Sequence, residues 1–341
     1  MRIATYNIEW FANLFGKDNR PLLDQEWSAR RDVTRKQQLE AIAEVIARLD
    51  PDALMVVEAP DTRGEQTTEA ALLAFAEMFG LRLNRVLTGF INDTQQELAL
   101  FYDDRQVTAV HDPQGPQDKN DPAPRFDGTF LMDVDVDARP ERHVFSKPPL
   151  EIALRTAMGT ELRLIGVHAK SKAPHGARNR AQEVRISIEN RRKQLAQCLW
   201  LRRRVDQHLD AGENVIVLGD LNDGPGLDEY EKLFGRSGVE VVLGPTTPAD
   251  RALFDPHAAA RLDPRDAWSP STARFYLHRR KTYLNALLDF IMVSDKLRQS
   301  ASPNWMIWHP FDHQSCFADD SLQRALLTAS DHFPVSVDLA I

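Results

Sequence analysis

At 341 residues, with 43% apolar and 27% charged side chains, the chain has the composition of a folded globular protein and can bury a core without covalent staples. Its net charge of −8 excludes a surface uniformly coated in positive charge, but not a local basic groove beside a bound cation. The two cysteines, Cys198 and Cys316, form neither a disulfide framework nor a CxxC zinc set, a usage that fits a reducing compartment.

The first residues, Met1 to Trp10, lack the basic and apolar regions of a secretory signal, which implies a cytoplasmic protein. No run approaches the roughly 20 apolar residues that cross a bilayer, so no membrane span is expected. A first strand is predicted over 2–8. An amphipathic helix follows over 35–49, with Leu39, Ile42, Ile46 and Leu49 at helical spacing. The apolar run 53–57 reads as a buried strand that delivers Glu58 at its end. Further strands are predicted over 98–102, 131–136, 150–154 and 162–167.

A long basic helix is predicted over 178–209, with Val184, Ile188, Leu195 and Leu199 as its apolar stripe. The run 215–218 reads as a buried strand ending in Gly219-Asp220-Leu221-Asn222. Strands over 287–293 and 334–341 complete the series, the last alternating Val335, Val337 and Leu339. The stretches 103–124 and 244–281 are rich in turn-forming and polar residues and read as loop insertions. With no repeat or low-complexity linker, and strands at both termini, residues 1–341 read as one domain and as a monomer with no inferred protein partner.

Carboxylates sit at or inside several apolar runs: Glu58, Asp220, Asp289 and Asp331. A buried, unpartnered carboxylate costs several kcal/mol, roughly, so a core that keeps four gives them a cation or a histidine. Oxygen donors favour a hard ion, Mg²⁺ or Mn²⁺, with Ca²⁺ also compatible, and no Cys/His set points to zinc. Taken singly, such an acid is more often a cap or turn former. The set and its order carry the argument.

That order is Tyr6-Asn7-Ile8, Val57-Glu58, Val167-His168, Gly219-Asp220-Leu221-Asn222, Leu288-Asp289-Phe290-Ile291 and Ser330-Asp331-His332-Phe333-Pro334-Val335. It resembles the motif series of the endonuclease/exonuclease/phosphatase superfamily, from residue 5 to about residue 337. The superfamily includes pancreatic-type DNases, apurinic endonucleases, neutral sphingomyelinases and inositol polyphosphate phosphatases. The resemblance implies a DNase I-like, four-layer α/β sandwich: two mixed, mostly antiparallel sheets face to face, with helices outside. It also implies a divalent-metal-dependent phosphodiester hydrolase.

By the same resemblance, Glu58 would be the main metal ligand, with Asp331 at the metal site and Asn7 helping to hold that site or the phosphate. Asp220 would orient or deprotonate the attacking water, and Asn222 would hydrogen-bond a phosphate oxygen. Asp289 would pair with His332 and favour its protonated form. His168 would donate to the phosphate or protonate the leaving oxygen, with Lys170 adding positive charge. Which group is base and which is acid stays open, as does the number of metal ions. The stretches His168-Ala169-Lys170-Ser171-Lys172 and Phe145-Ser146-Lys147-Pro148-Pro149-Leu150 are similar to the bacterial nuclease-like branch, with Lys147 where arginine is usual. The plain structural alternatives are a satisfied core histidine at His332, Asx-turn roles for Asp220 and Asn222, and a solvated Lys170.

Two basic clusters suit a polyanion: Arg178, Arg180, Arg185, Arg191, Arg192 and Lys193 on the long helix, and Arg274 with Arg279, Arg280 and Lys281 near Phe275 and Tyr276. Arg274 and Arg279 are the expected substrate-binding residues. The leading expectation is a nuclease acting on DNA or RNA. A phosphatase or phosphodiesterase for a small or lipid substrate is the second reading, and a catalytically dead binding protein the third.

Overall fold

Strand β1 (Arg2–Asn7) shows why the sequence folds into layers: it is buried on both faces, and its alternate residues enter different cores. Ile3 joins one apolar cluster with Met55, Val57, Leu100, Leu218 and Ile291, whereas Ala4 and Tyr6 join a second with Leu39, Ile42, Leu54, Val56 and Phe75. The period of two along a strand sends neighbours to opposite sides, so β1 has one face toward another sheet and one toward helices. These observations come from a computed structural model that describes residues 1–91, 97–134, 140–226, 235–263, 265–266, 268–277 and 281–341.

The first sheet runs β15 (Asn304–Ile307), β16 (Val335–Asp338), β1, β2 (Ala53–Ala59), β4 (Glu97–Tyr102) and β3 (Arg85–Thr88). The second runs β11 (Leu253–Phe254), β14 (Asp289–Ser294), β10 (Val215–Asp220), β9 (Glu161–His168), β8 (Leu150–Thr156) and β5 (Val107–His111). Each sheet holds one parallel pair, β1 with β2 and β9 with β10, and its other pairings are antiparallel. A parallel pair needs a crossover. The helix α1 (Arg35–Leu49) supplies the first and α3 (Arg180–Asp210) the second. With α2 (Thr68–Phe79) and α4 (Asp320–Ala329) beside α1, the layers are helix, sheet, sheet, helix. This is the DNase I-like four-layer sandwich. Two small hairpins, β6 (Phe130–Met132) with β7 (Glu141–His143) and β12 (Ala273–Leu277) with β13 (Thr282–Ala286), flank the sheets.

Several sequence expectations shift in detail. The first strand stops at Asn7, and the strands predicted over 162–167 and 215–218 run on to His168 and Asp220. Of the stretch 131–136, residues 130–132 are strand, and 135–136 lie outside the described residues. The two presumed insertions carry regular structure. Strand β5 lies within 103–124, and 244–281 holds β11, a short helix Pro256–Leu262 and β12.

The long helix departs most from its pattern. Val184, Ile188 and Leu199 are only half-buried, while Asn190, Arg191, Gln194, Arg202, Arg204 and His208 are buried with Leu195 and Leu201. Arg191 belonged to the proposed polyanion face, but it is 1% exposed and its guanidinium lies 3.2 Å from the fully buried Asp223 carboxylate. A tertiary ion pair, invisible to helical periodicity, takes that residue out of solvent.

Glu97, at the start of β4, is the register partner of Ala59, next to Glu58. Burial, then the Asp61 carboxylate beside it, push Glu97 from 4.5 up to about 7. For an acid whose folded pKa is raised, the protonated form is favoured on folding. Stability is therefore lost as pH rises from about 4.5 to about 7 and stays lower above. Glu97→Gln is expected to raise the thermal midpoint at pH 8 and leave it unchanged at pH 4. Equal shifts at both pH values would contradict this reading.

Candidate active site

The strand ends converge on one edge of the sandwich. In the second sheet, Asp220 is the register partner of His168 on one side and of Asp289 on the other. Three chemistry-bearing residues from β9, β10 and β14 therefore stand in one row. Asn7 closes the gap to the first sheet, its Nδ2 donating to Asp220 Oδ2 at 3.0 Å. His332 reaches across from the loop before β16, with Nδ1 2.7 Å from Asp289 Oδ2. His168 Nε2 lies 3.7 Å from Asp220 Oδ2 and 4.0 Å from Glu58 Oε1.

Local backbone makes this convergence possible. Glu58 is not the end of its strand. It sits at a bulge, with φ +61°, where the register between β2 and β4 shifts by one residue. A bulge re-aims one side chain out of the strand's alternation. Gly219 has φ +130°, and a Cβ there would lie 2.1 Å from the Val167 carbonyl oxygen, so the close approach of β9 and β10 just before Asp220 requires glycine.

Side chains outside the expected set lock the loops. Gln194 of α3 is 1% exposed, and its Nε2 faces the carbonyls of Lys170, Leu221 and Asn222 at 2.9, 3.2 and 2.9 Å. One amide thus ties the loop after His168 to the loop after Asp220. The Ser330 hydroxyl donates to the Asn7 carbonyl at 2.8 Å and accepts from the Glu9 and His332 amides. Thr272 Oγ1 donates to Asp289 Oδ2 at 2.8 Å and accepts from the Leu288 and Asp289 amides at 3.0 Å. Ser330 opens the motif Ser330-Asp331-His332, but without an assigned role, while Gln194 and Thr272 lie in no motif and no sequence pattern marked them.

Lys147 is the principal residue missing from the expected site. Its Nζ lies 3.0 Å from His168 Nδ1 and 3.2 Å from Nε2. Phe145, two residues earlier, packs on the buried Trp200 of α3 with ring centroids 5.0 Å apart, which anchors the approach. The Phe145–Leu150 stretch was the available signal.

The electrostatics divide the site in two. Burial, then Lys147 and His332, hold His168 well below its ordinary value, so it is a neutral imidazole at pH 7. Burial opposes charge on His332 as well, but Asp289, Asp220 and Asp331 outweigh it and hold His332 well above its ordinary value, as an imidazolium. Burial, then Asp289, push Asp220 up to about 7. Burial raises Glu58 and Asp331. It also brings Lys147 down to about 8 against the pull of Glu58 and Asp220.

The carboxylates are therefore under-compensated by the protein alone. Buried Asn7 Oδ1 and Asp289 Oδ1 have no hydrogen-bond partner among the described residues. Ligand-capable atoms of Asp220, Asp289 and His332 lie within 4.8 Å of one another. An imidazolium bonded to Asp289 offers no lone pair, however, so this trio marks the concentration of charge and not the expected Asn7, Glu58 and Asp331 ligand set. An oxygen-rich set with orphaned acceptors fits a hard divalent cation.

A cleft of about 850 Å³ opens over this edge. Asn7, Glu58, His168, Lys170, Asp220, Asn222, Asp331 and His332 line it, and Asp289 lies beneath, held by His332 and Thr272. Asn222 meets the expectation only in place. Its Nδ2 already donates to Asp220 Oδ2 at 3.0 Å and to the Ala169 carbonyl at 3.1 Å. It braces Asp220 instead of presenting free hydrogens to a phosphate. Arg274 is not brought into the cleft. The alternation of β12 turns Phe275 and Leu277 inward, and the Arg274 guanidinium stacks on Tyr283 and Phe311 at 4.0 and 4.8 Å from the ring centroids. Arg279 lies outside the described residues.

Comparison with known proteins agrees with this architecture. A sequence model of the Endonuclease/Exonuclease/phosphatase family matches residues 4–332. No curated protein matches the sequence. Truncated Caenorhabditis elegans TDP2 is similar in structure, with a TM-score of 0.51 at 14% identity, over 99% of this chain and 96% of that one. An endonuclease/exonuclease/phosphatase family protein of Bacteroides thetaiotaomicron gives 0.51 at 14%, over 99% and 97%. The mannosyl-6-phosphatase of Bacteroides thetaiotaomicron gives 0.50 at 14%, over 100% of both chains. At such identities the likeness speaks for the fold alone.

Proposed function

This chain belongs to the endonuclease/exonuclease/phosphatase family and is a phosphoesterase, and we propose that it hydrolyses nucleic-acid phosphodiesters with the aid of Mg²⁺ or Mn²⁺. The observation that carries the substrate reading is the mixed lining of the cleft. Lys147, Lys170 and Lys172 line it, and so do Phe275, Leu277, Leu284 and Leu288 of the β12–β13 hairpin and the residues after it. The lysines suit the phosphate and the apolar residues suit a base or sugar.

Asn7, Glu58 and Asp331 would hold the cation, whose chemistry there is to neutralise charge on the phosphoryl oxygens. Asp220 is the proposed base. Its Oδ2 accepts from Asn7 and Asn222, and its Oδ1 accepts from the Asn222 amide at 2.6 Å. One lone pair of Oδ1 remains for a water proton. A value near 7 matches an operating pH near neutrality. The His332 imidazolium, steadied by Asp289, and the Lys147 ammonium beside His168 put positive charge where the phosphorane gains negative charge. Neutral His168 is suited to donate a hydrogen bond to the phosphate or leaving oxygen.

The test is direct. Pure protein with Mg²⁺ or Mn²⁺ is incubated with plasmid, single-stranded DNA, RNA and bis-p-nitrophenyl phosphate, alongside Asp220→Ala. Cleavage of a polynucleotide is expected; turnover confined to small esters would overturn the nuclease reading. A second check needs no substrate. A cation at 100 times its dissociation constant is expected to add about 2.7 kcal/mol of stability, seen as a higher thermal midpoint with Mn²⁺ than with EDTA. Glu58→Gln is expected to abolish that difference. An unchanged midpoint in the native protein would refute the cation site.

A further inference from the structure

A second groove, of about 620 Å³, adjoins the catalytic cleft. Ser146 and Lys170 line both, so the two form one continuous path over the surface. Its floor and sides come from β7 and from α3, and its charged residues are Arg142, Lys170, Arg192 and Lys193 against Glu141 and Glu189. That balance is positive in a chain whose net charge is −8. Glu141 is already engaged, its Oε1 3.2 Å from Arg192 Nη2, while Arg142 and Lys193 are exposed.

The groove is fixed to the chemistry. On α3, Lys193 and Gln197 share a face one turn apart. Gln197 Oε1 accepts from the Lys170 amide at 2.8 Å, two residues beyond His168. Gln194 holds the carbonyl of the same Lys170. The cationic face of α3 is therefore clamped to the strand end that carries His168, and the two anion-attracting regions keep a constant separation.

We propose that this groove is a second anion subsite, which takes the phosphate next along the chain from the one hydrolysed in the cleft. The proposal rests on the nucleic-acid reading above. It gives the enzyme a preference for oligonucleotides over esters with a single phosphate, because only the former occupy both regions. It also assigns a substrate role to Lys193 of the α3 basic cluster, after Arg191 is withdrawn into the core and Arg192 is paired with Glu141.

The test uses the full chain in EDTA, so that binding is read without turnover, with a fluorescein-labelled 12-residue oligothymidylate at several salt concentrations. Each phosphate contact to a single strand contributes a slope of roughly −0.7 in log K against log salt. Arg142→Gln/Lys193→Gln is expected to lower the slope by about 1.4 and to weaken binding about 10- to 30-fold at 0.1 M salt. Lys36→Glu, on α1 at the other side of the sandwich, is expected to bind like the native chain. With Mn²⁺ restored, the double variant is expected to show a raised KM for the same oligomer. If the native protein binds and cuts the oligomer and the double variant does so with the same slope and KM, the subsite is refuted and the nuclease reading stands. If the native protein neither binds the oligomer in EDTA nor cuts it with Mn²⁺, both fall.

Discussion

Asp220→Ala is expected to lower turnover of any phosphodiester by about 10³-fold or more, within the range found when a positioned acid or base is removed. The expectation rests on position. Asp220 stands between His168 and Asp289 in the sheet register, accepts from Asn7 of the opposite sheet, and is 1% exposed. Its loss removes the proposed base and also releases Asn7 and Asn222, so KM changes as well as kcat. Asp220→Asn separates these effects. It keeps the volume and can still accept from Asn7 and Asn222 Nδ2, but it loses the acceptor for the Asn222 backbone amide and cannot accept a proton. It is expected to lose kcat while remaining folded. A variant that retains even a tenth of native kcat would remove Asp220 from the chemistry.

The second large effect concerns His332 and Asp289. Alanine at His332 is expected to cost about 10²- to 10⁴-fold in kcat. Asp289→Asn is expected to cost nearly as much, because Asp289 supplies the charge that holds the imidazole protonated. The two act as a unit, so the double variant is expected to be hardly slower than either single one. A double-mutant cycle reads this as a large coupling. Additive losses would show that Asp289 serves only the packing around Thr272, to which it is bonded at 2.8 Å. The Asp289→Asn variant also leaves Leu288 and Asp289 amides bonded to Thr272, so the loop is expected to persist.

The sequence resolved most of the layers and most of the residues that converge at the strand ends. Helix α1 was legible to its last residue because Leu39, Ile42, Ile46 and Leu49 repeat at the helical period and all face one core. The strands β9 and β10 were legible as apolar runs that stop at polar groups, and β14 as an apolar run that holds Asp289; His168 and Asp220 line one cleft and Asp289 lies beneath it. The order of motifs was enough to indicate the family, since each motif pairs a strand-end residue type with its neighbours.

What escaped the sequence depends on contacts between distant segments. Whether an arginine is solvated or buried is decided by its partner. Arg191 meets Asp223, 32 residues on, and Arg274 meets Phe311 as well as Tyr283, its diagonal neighbour on the paired strand. Glu58 reaches the site through a bulge with positive φ, a conformation that a glutamate does not advertise. Lys147 acquires a role only because Phe145 is pinned on Trp200, 55 residues away in the chain and adjacent in space. Local periodicity and strand-end chemistry are properties of short stretches and survive in the sequence alone. Which cation faces the substrate, and which one neutralises a buried acid, is fixed by packing, because the free energy of a charge depends on its surroundings more than on its own side chain.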